Sequence, residues 1–249
     1  MKYTLRLAMI CMALIMAIVL LLAGCGEPVD PTVPETTVPE ATVLATIPAT
    51  IPGPTCPLPL DDWRMQLVNK EHPISEDYQS PELTKVSYRF YVDSRCYEDL
   101  NAMLEACRAD GLTPVICSAY RTLNDQIYLF NRKLQRLRAQ GMTEAEAYDR
   151  AQIVVALPGA SEHHTGLAVD LVDYAYQELD EQQEQTAVQQ WLLENCWDYG
   201  FILRYPNGKS DITGIIYEPW HYRYVGREVA AELRNSGLCF EEYVAQFGY

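Results

Sequence analysis

Two short motifs, Ser161-Glu162-His163-His164-Thr165-Gly166-Leu167-Ala168-Val169-Asp170 and Tyr217-Glu218-Pro219-Trp220-His221-Tyr222, hold three of the four histidines of this 249-residue chain. Each histidine has a carboxylate close by. Two neutral imidazoles and one carboxylate make a good zinc site, and a second, unligated carboxylate beside it is what metal-assisted hydrolysis requires. A fold that uses these groups must bring His163, Asp170 and His221 to one point from segments about fifty residues apart. His163 and Asp170 are too far apart for one helical turn, so a bend at Gly166 is needed. Glycine, lacking a Cβ, permits it. His221 then comes from a neighbouring strand, and Glu218 falls beside the metal as general base. Trp220 is expected to pack under the His221 ring.

The N-terminal sixty residues stand outside such a fold. Lys2 and Arg6 precede an uncharged apolar run from Leu7 to Leu22. It is short for a membrane span and suited to a signal-peptide core. It ends in Leu22-Ala23-Gly24-Cys25, which resembles a bacterial lipobox. On that basis residues 1–24 are a lipoprotein signal peptide and Cys25 is the lipidated N-terminus. Residues 25–60 carry a loose Thr-Val/Ile-Pro repeat with no aromatic residue and no helical period, as expected of a semi-rigid linker. At about 3.1 Å per residue such a linker spans roughly 100 Å. Residues 61–249 form the remaining globular domain.

The net charge is −15. Removing the signal peptide takes away two basic residues and no acidic ones. That balance argues against nucleic acid and against charge-driven docking on an anionic membrane. Of eight cysteines, six follow Cys25: Cys56, Cys96, Cys107, Cys117, Cys196 and Cys239. An even number in an exported domain suggests up to three disulfides.

Periodicity in residues 61–249 predicts helices over Arg95–Ala109, Asn124–Gln140 (with Ile127, Phe130, Leu134 and Leu137 on the apolar face), Thr143–Val155, Glu181–Tyr199, Arg227–Asn235 and Phe240–Gln246. Val188, Trp191, Leu192 and Trp197 are the candidate core residues of the Glu181–Tyr199 segment. Short strands are predicted over Leu112–Ala119, Leu167–Tyr174, Phe201–Arg204, Ile212–Tyr217 and His221–Val225. The fold class is α+β, with a small, mostly antiparallel sheet flanked by helices. The first strand delivers Ser118-Ala119-Tyr120-Arg121. Arg121 is the candidate electrophile, placed to stabilise an oxyanion or to bind a substrate carboxylate. Gln126 is a candidate for hydrogen bonding the substrate backbone, and Ser161 for touching substrate or orienting the His163 loop.

These residues carry a family resemblance. The segment Pro158–Asp170, with Ser161-x-His163-x-x-Gly166-x-Ala168-x-Asp170, resembles the first zinc motif of the zinc D-Ala-D-Ala carboxypeptidases, especially the VanY-like group. Glu218-Pro219-Trp220-His221 is similar to their second motif. Ser118-Ala119-Tyr120-Arg121 with Gln126 resembles their substrate-side segment, with Ala119 where glycine is usual. The resemblance implies the hedgehog/DD-peptidase-like fold, Zn2+ bound by His163, Asp170 and His221, Glu218 as general base, and Arg121 as transition-state or carboxylate ligand. The implied reaction removes the terminal D-alanine of peptidoglycan stem peptides. An LD-carboxypeptidase, an endopeptidase and a non-catalytic zinc or peptidoglycan-binding module are the alternatives on the same scaffold. The expected partners are a stem peptide and the membrane, through lipid on Cys25. A monomer at the outer face of the cytoplasmic membrane is expected.

Overall fold

A computed structural model describes residues 55–75 and 77–249. The expectations for the signal peptide, for Cys25 and for most of the linker lie outside the described residues. Two strands, β1 (Leu83–Lys85) and β2 (Tyr91–Asp93), form a small antiparallel ribbon. Helix α1 (Tyr97–Ala109) follows, then β3 (Pro114–Ser118), α2 (Leu123–Ala139) and α3 (Glu144–Gln152). The chain continues through β4 (Ala168–Asp173), α4 (Ala187–Asn195), β5 (Phe201–Leu203) and the short α5 (Ser210–Thr213). Strand β6 (His221–Tyr224), α6 (Arg227–Ser236) and α7 (Phe240–Ala245) complete it. The main sheet has the order β3-β4-β6-β5, antiparallel throughout. The mixed α+β class and the antiparallel sheet agree with expectation.

The largest apolar cluster joins Leu100, Met103 and Leu104 of α1 to Val188 and Leu192 of α4 and to Leu171, Phe201 and Tyr222 of the sheet. Trp191 and Trp197 pack at its edge, only partly buried. A second cluster seats α6 and α7 against Ile202, with Leu58, Met65 and Leu67 packed in, so the packed chain begins ahead of residue 61. The third joins Phe130, Leu134 and Leu137 of α2 to Ala147 and Ala151 of α3. Both of these helices start at capping boxes, Thr122 with Asp125 and Thr143 with Glu146. Each box satisfies otherwise orphaned amide donors.

Four expectations need correction. On α2, Ile127 is exposed and Gln126 is buried in its place, because a polar network, described below, draws the helix face round. The segment 181–199 is not one helix. Thr186 adopts an extended backbone (ψ 150°) and caps α4 with its side chain, leaving a separate 3-10 turn before it. Residues 212–217 are not a strand. Thr213 Oγ1 accepts from the Ile215 amide and Gly214 takes a left-handed conformation (φ 74°), which turns the chain away from the sheet. Ile215 and Ile216, which suggested a strand, instead line a cavity. Finally, all six cysteines among the described residues are free thiols. Cys96, Cys107 and Cys196 sit in the main core as small apolar side chains.

Candidate active site

Sheet register assembles the site. Asp170 on β4 lies directly opposite His221 on β6, and on its other side opposite Ser118 at the end of β3. His163 arrives from the 3-10 turn Glu162–Thr165. Gly166 closes that turn with φ +72°, and a Cβ there would come within 2.7 Å of the Asp93 amide nitrogen. The bend therefore needs glycine both for its conformation and for the approach of β2.

The result is a compact group. One donor atom each from His163, Asp170 and His221 lies within 4.8 Å of the others. His163 Nε2 is 3.3 Å from Asp170 Oδ2, and His221 Nδ1 is 3.0 Å from Asp170 Oδ1. The two imidazoles meet edge to face, with centroids 4.9 Å apart. His163 Nδ1 donates to the Ala119 carbonyl at 2.7 Å. This fixes the tautomer and leaves Nε2 as a lone-pair donor, buried without a hydrogen-bond partner. Burial, reinforced by the Arg121 charge, pushes His163 down to about 4, so it is neutral and ready to ligate. Burial also disfavours charge on His221, but Asp170, Glu162 and Glu218 outweigh it and push that imidazole up to about 9. A site that draws a proton onto histidine is a site that favours a cation. The orphaned nitrogen, the fixed tautomer and the N/O donor set fit zinc. His164, by contrast, donates from Nδ1 to the Arg121 carbonyl and accepts the Gly159 amide at Nε2. Both of its nitrogens are committed to holding loops.

Glu218 Oε2 is 3.9 Å from His221 Nδ1. Burial, with the neighbouring Asp170 charge, raises its carboxyl to about 8. Arg121 reaches Asp170 Oδ2 at 3.0 Å, donates to Ser118 Oγ at 2.9 Å and to Gln126 Oε1 at 2.8 Å. Its guanidinium is thus held rigidly at the cavity wall. Gln126 needs correction as a substrate ligand. It is fully buried, with its oxygen on Arg121 and its Nε2 donating to the Ala156 carbonyl at 2.7 Å. Gln126 braces Arg121 and, fully buried, does not line the cavity where substrate would bind. Ser161 lines the cavity.

Two participants had not been singled out. Tyr205 packs its ring 4.8 Å from that of His221, the neighbour expected of Trp220, which lines the cavity instead. Glu162 lies behind the centre. Its Oε1 accepts from Arg204 Nε and Arg223 Nη1, each at 2.7 Å. Its Oε2 faces His221 Nε2 at 3.7 Å, too far for a hydrogen bond, and neither atom has a hydrogen-bond partner. With His221 Nδ1 turned to the centre, the buried Glu162 charge on the far side of the ring favours a proton on Nε2. Glu162→Gln is expected to destabilise the fold by about 3–5 kcal/mol, since Arg223 loses its carboxylate in a fully buried setting. It is also expected to weaken zinc binding by about 10–100-fold. Urea denaturation and chelator competition check both, and unchanged values in the two would remove Glu162 from this role.

The centre opens into a cavity of about 300 Å³, walled by α2, by residues 154–156, by Ile215 and Ile216, and by Leu179. Residues 89–227 match the family VanY, D-alanyl-D-alanine carboxypeptidase. A D-alanyl-D-alanine carboxypeptidase of Enterococcus faecalis (strain ATCC 700802 / V583) is 42% identical over 184 residues, covering 74% of this chain and 66% of that protein. A solved mutant of the vancomycin-resistance D,D-pentapeptidase VanY from a VanB-type cassette, in complex with Zn(II), is 41% identical. It superposes with a TM-score of 0.67 over 74% of this chain and 99% of its own. The LD-carboxypeptidase LdcB is 33% identical, with a TM-score of 0.64 over 74% of this chain and 86% of its own. By fold, by sequence and by the donor set at its centre, this chain belongs to the VanY family of zinc-dependent D-alanyl-D-alanine carboxypeptidases.

Proposed function

We propose that the chain removes the terminal D-alanine from peptidoglycan stem peptides, with His163, Asp170 and His221 holding zinc and Glu218 as general base. The observation that carries this is the buried convergence of the three donors with a fourth carboxyl group, that of Glu218, at 3.9 Å from one of them. Zinc held there supplies Lewis-acid chemistry, polarising an amide carbonyl and making water acidic enough to attack near neutral pH. Glu218 takes up the proton of the attacking water and delivers it to the leaving amine. Arg121, immobilised by Ser118, Gln126 and Asp170, offers its guanidinium to the oxyanion or to the terminal carboxylate. Burial excludes bulk water and strengthens each of these interactions.

The DD reading is favoured over LD because the two most similar relatives cited above, at 42% and 41%, are named for D-Ala-D-Ala or D,D-pentapeptide hydrolysis, against 33% for LdcB. A fragment starting near Thr55 is expected to release D-alanine from a peptide ending D-Ala-D-Ala, in a chelator-sensitive manner, and not from one ending L-Lys-D-Ala. Release from the second peptide alone keeps the chemistry and makes the enzyme an LD-carboxypeptidase. Release from neither by the zinc-loaded protein overturns the carboxypeptidase reading.

We infer also that the protein is a lipoprotein, tethered through Cys25 at the outer face of the cytoplasmic membrane. The support is the basic, apolar and Leu22-Ala23-Gly24-Cys25 succession, followed by a Pro/Thr-rich spacer. No helix among the described residues is long and apolar enough to cross a membrane. Cys25→Ala is expected to move the protein from the membrane pellet to the soluble fraction. Retention in the pellet would mean that the apolar run anchors the chain uncleaved.

A further inference from the structure

One wall of the cavity has a composition at odds with the rest of the chain. The protein carries 34 acidic against 19 basic residues. Yet Leu129, Arg132, Lys133 and Arg136 line the cavity from one face of α2, at the three- and four-residue spacing that stacks side chains along a helix. Arg138, on another face, is paired with Glu144. Arg132, Lys133 and Arg136 have no carboxylate partner among the described residues. Lys133 is half-buried, while Arg132 and Arg136 are exposed to solvent. Burial, with the charges of Arg136 and Arg150, lowers the Lys133 ammonium. Three cations without a carboxylate partner on one wall of a cavity make that wall attractive to an anion, which relieves the repulsion on Lys133.

Distance along the helix selects which anion. Gln126, in contact with Arg121, marks the reaction centre. Lys133 and Arg136 lie about 10 Å and 15 Å further along the axis at 1.5 Å per residue. The terminal carboxylate of a substrate is one residue from the cleaved bond, roughly 3.5 Å of extended chain, and lies within reach of Arg121. A carboxylate two to three residues to the N-terminal side lies roughly 7–10 Å away, which matches Arg132 and Lys133 at about 9 Å and 10 Å, with Arg136 one turn beyond and able to reach back only through its long side chain.

We propose that Arg132, Lys133 and Arg136 form an anion subsite that selects substrates carrying a free carboxylate two to three residues N-terminal to the cleaved bond. The proposal deepens the carboxypeptidase function above and rests on it. Guanidinium and ammonium groups bind carboxylates through charge-assisted hydrogen bonds, and amidation of the carboxylate removes the charge while keeping the shape. The subsite thereby distinguishes acid from amide at one peptide position.

The test uses two pentapeptides ending D-Ala-D-Ala, with γ-linked D-glutamate at the second position, its α-carboxylate free in one and amidated in the other. The zinc-loaded wild-type domain is expected to prefer the acid by about tenfold in kcat/KM, chiefly through KM, and less at high salt. The variant R132Q/K133Q/R136Q is expected to lose that preference. An acylated D-Ala-D-Ala dipeptide, too short to reach these residues, reports the reaction centre of each protein. Equal kcat/KM of the wild type on the two pentapeptides overturns the subsite, as does a preference that survives the triple substitution. If D-alanine is released from neither pentapeptide, the reaction assignment falls, and binding of the same pair decides the subsite. Tighter binding of the acid supports it and equal dissociation constants overturn it.

Discussion

Glu218→Gln is expected to leave a folded, zinc-loaded protein whose turnover is at least about 10²-fold slower, the scale of losing a general base. Glutamine preserves the shape of a side chain that is nearly buried, so the fold has no reason to change. What it removes is the carboxyl group 3.9 Å from His221 Nδ1, to which the proposed mechanism gives the proton. The loss should fall on kcat rather than KM, since the proton moves in the transition state and not on binding. Glu218 also lies outside the three-donor group, so zinc content should stay stoichiometric. Near-normal turnover of the variant would transfer the base role to another residue and leave Glu218 as a buried carboxyl without a task.

His221→Ala is the complementary experiment, and its readout is metal rather than rate. The imidazole contributes one of three donors and is braced on three sides, by Asp170, Tyr205 and Glu162. Removing it leaves two protein donors and a void between Tyr205 and Asp170. Stoichiometric zinc should then be lost on dialysis against a weak chelator, and activity with it. If zinc stays bound one to one, another group ligates. His164 is not placed to do so, because its nitrogens are committed to Arg121 and Gly159. The pair of variants separates holding the metal from moving the proton.

The donor set was legible in the sequence because ligation demands particular side chains, and few others do the same work. His163, Asp170 and His221 announced themselves by type and by closeness to Gly166 and Glu218. The partners that act through another residue were not legible. Glu162 stands inside the first motif, yet its carboxylate is balanced by Arg204 and Arg223, which come from distant parts of the chain. No local pattern records that pairing. Gln126 was noticed and misassigned for the same reason, since its second partner is a backbone carbonyl at Ala156, thirty residues away. The helix start at Thr143 was readable because caps are local chemistry, while the helix expected from Asn124 in fact starts at its Thr122 cap. The apolar run Ile212–Tyr217 misled because β-branched residues suit a strand and a cavity wall equally well. The cysteines misled because an even number says nothing about geometry. Three of them are simply apolar core atoms.

The register that sets Asp170 against His221 has a consequence for how the protein matures. Side chains along a strand alternate between faces, so a slip of one residue between β4 and β6 would present Trp220 or Tyr222 to Asp170. No partial or shifted pairing offers the same three donors. The centre therefore works as an inspector of the sheet. A chain that has zipped incorrectly cannot capture the ion, while a chain that has zipped correctly is clamped by it, with tightness set by how much free zinc surrounds it. The supply of free zinc would then bear on how firmly each copy stays folded as well as on how fast it works.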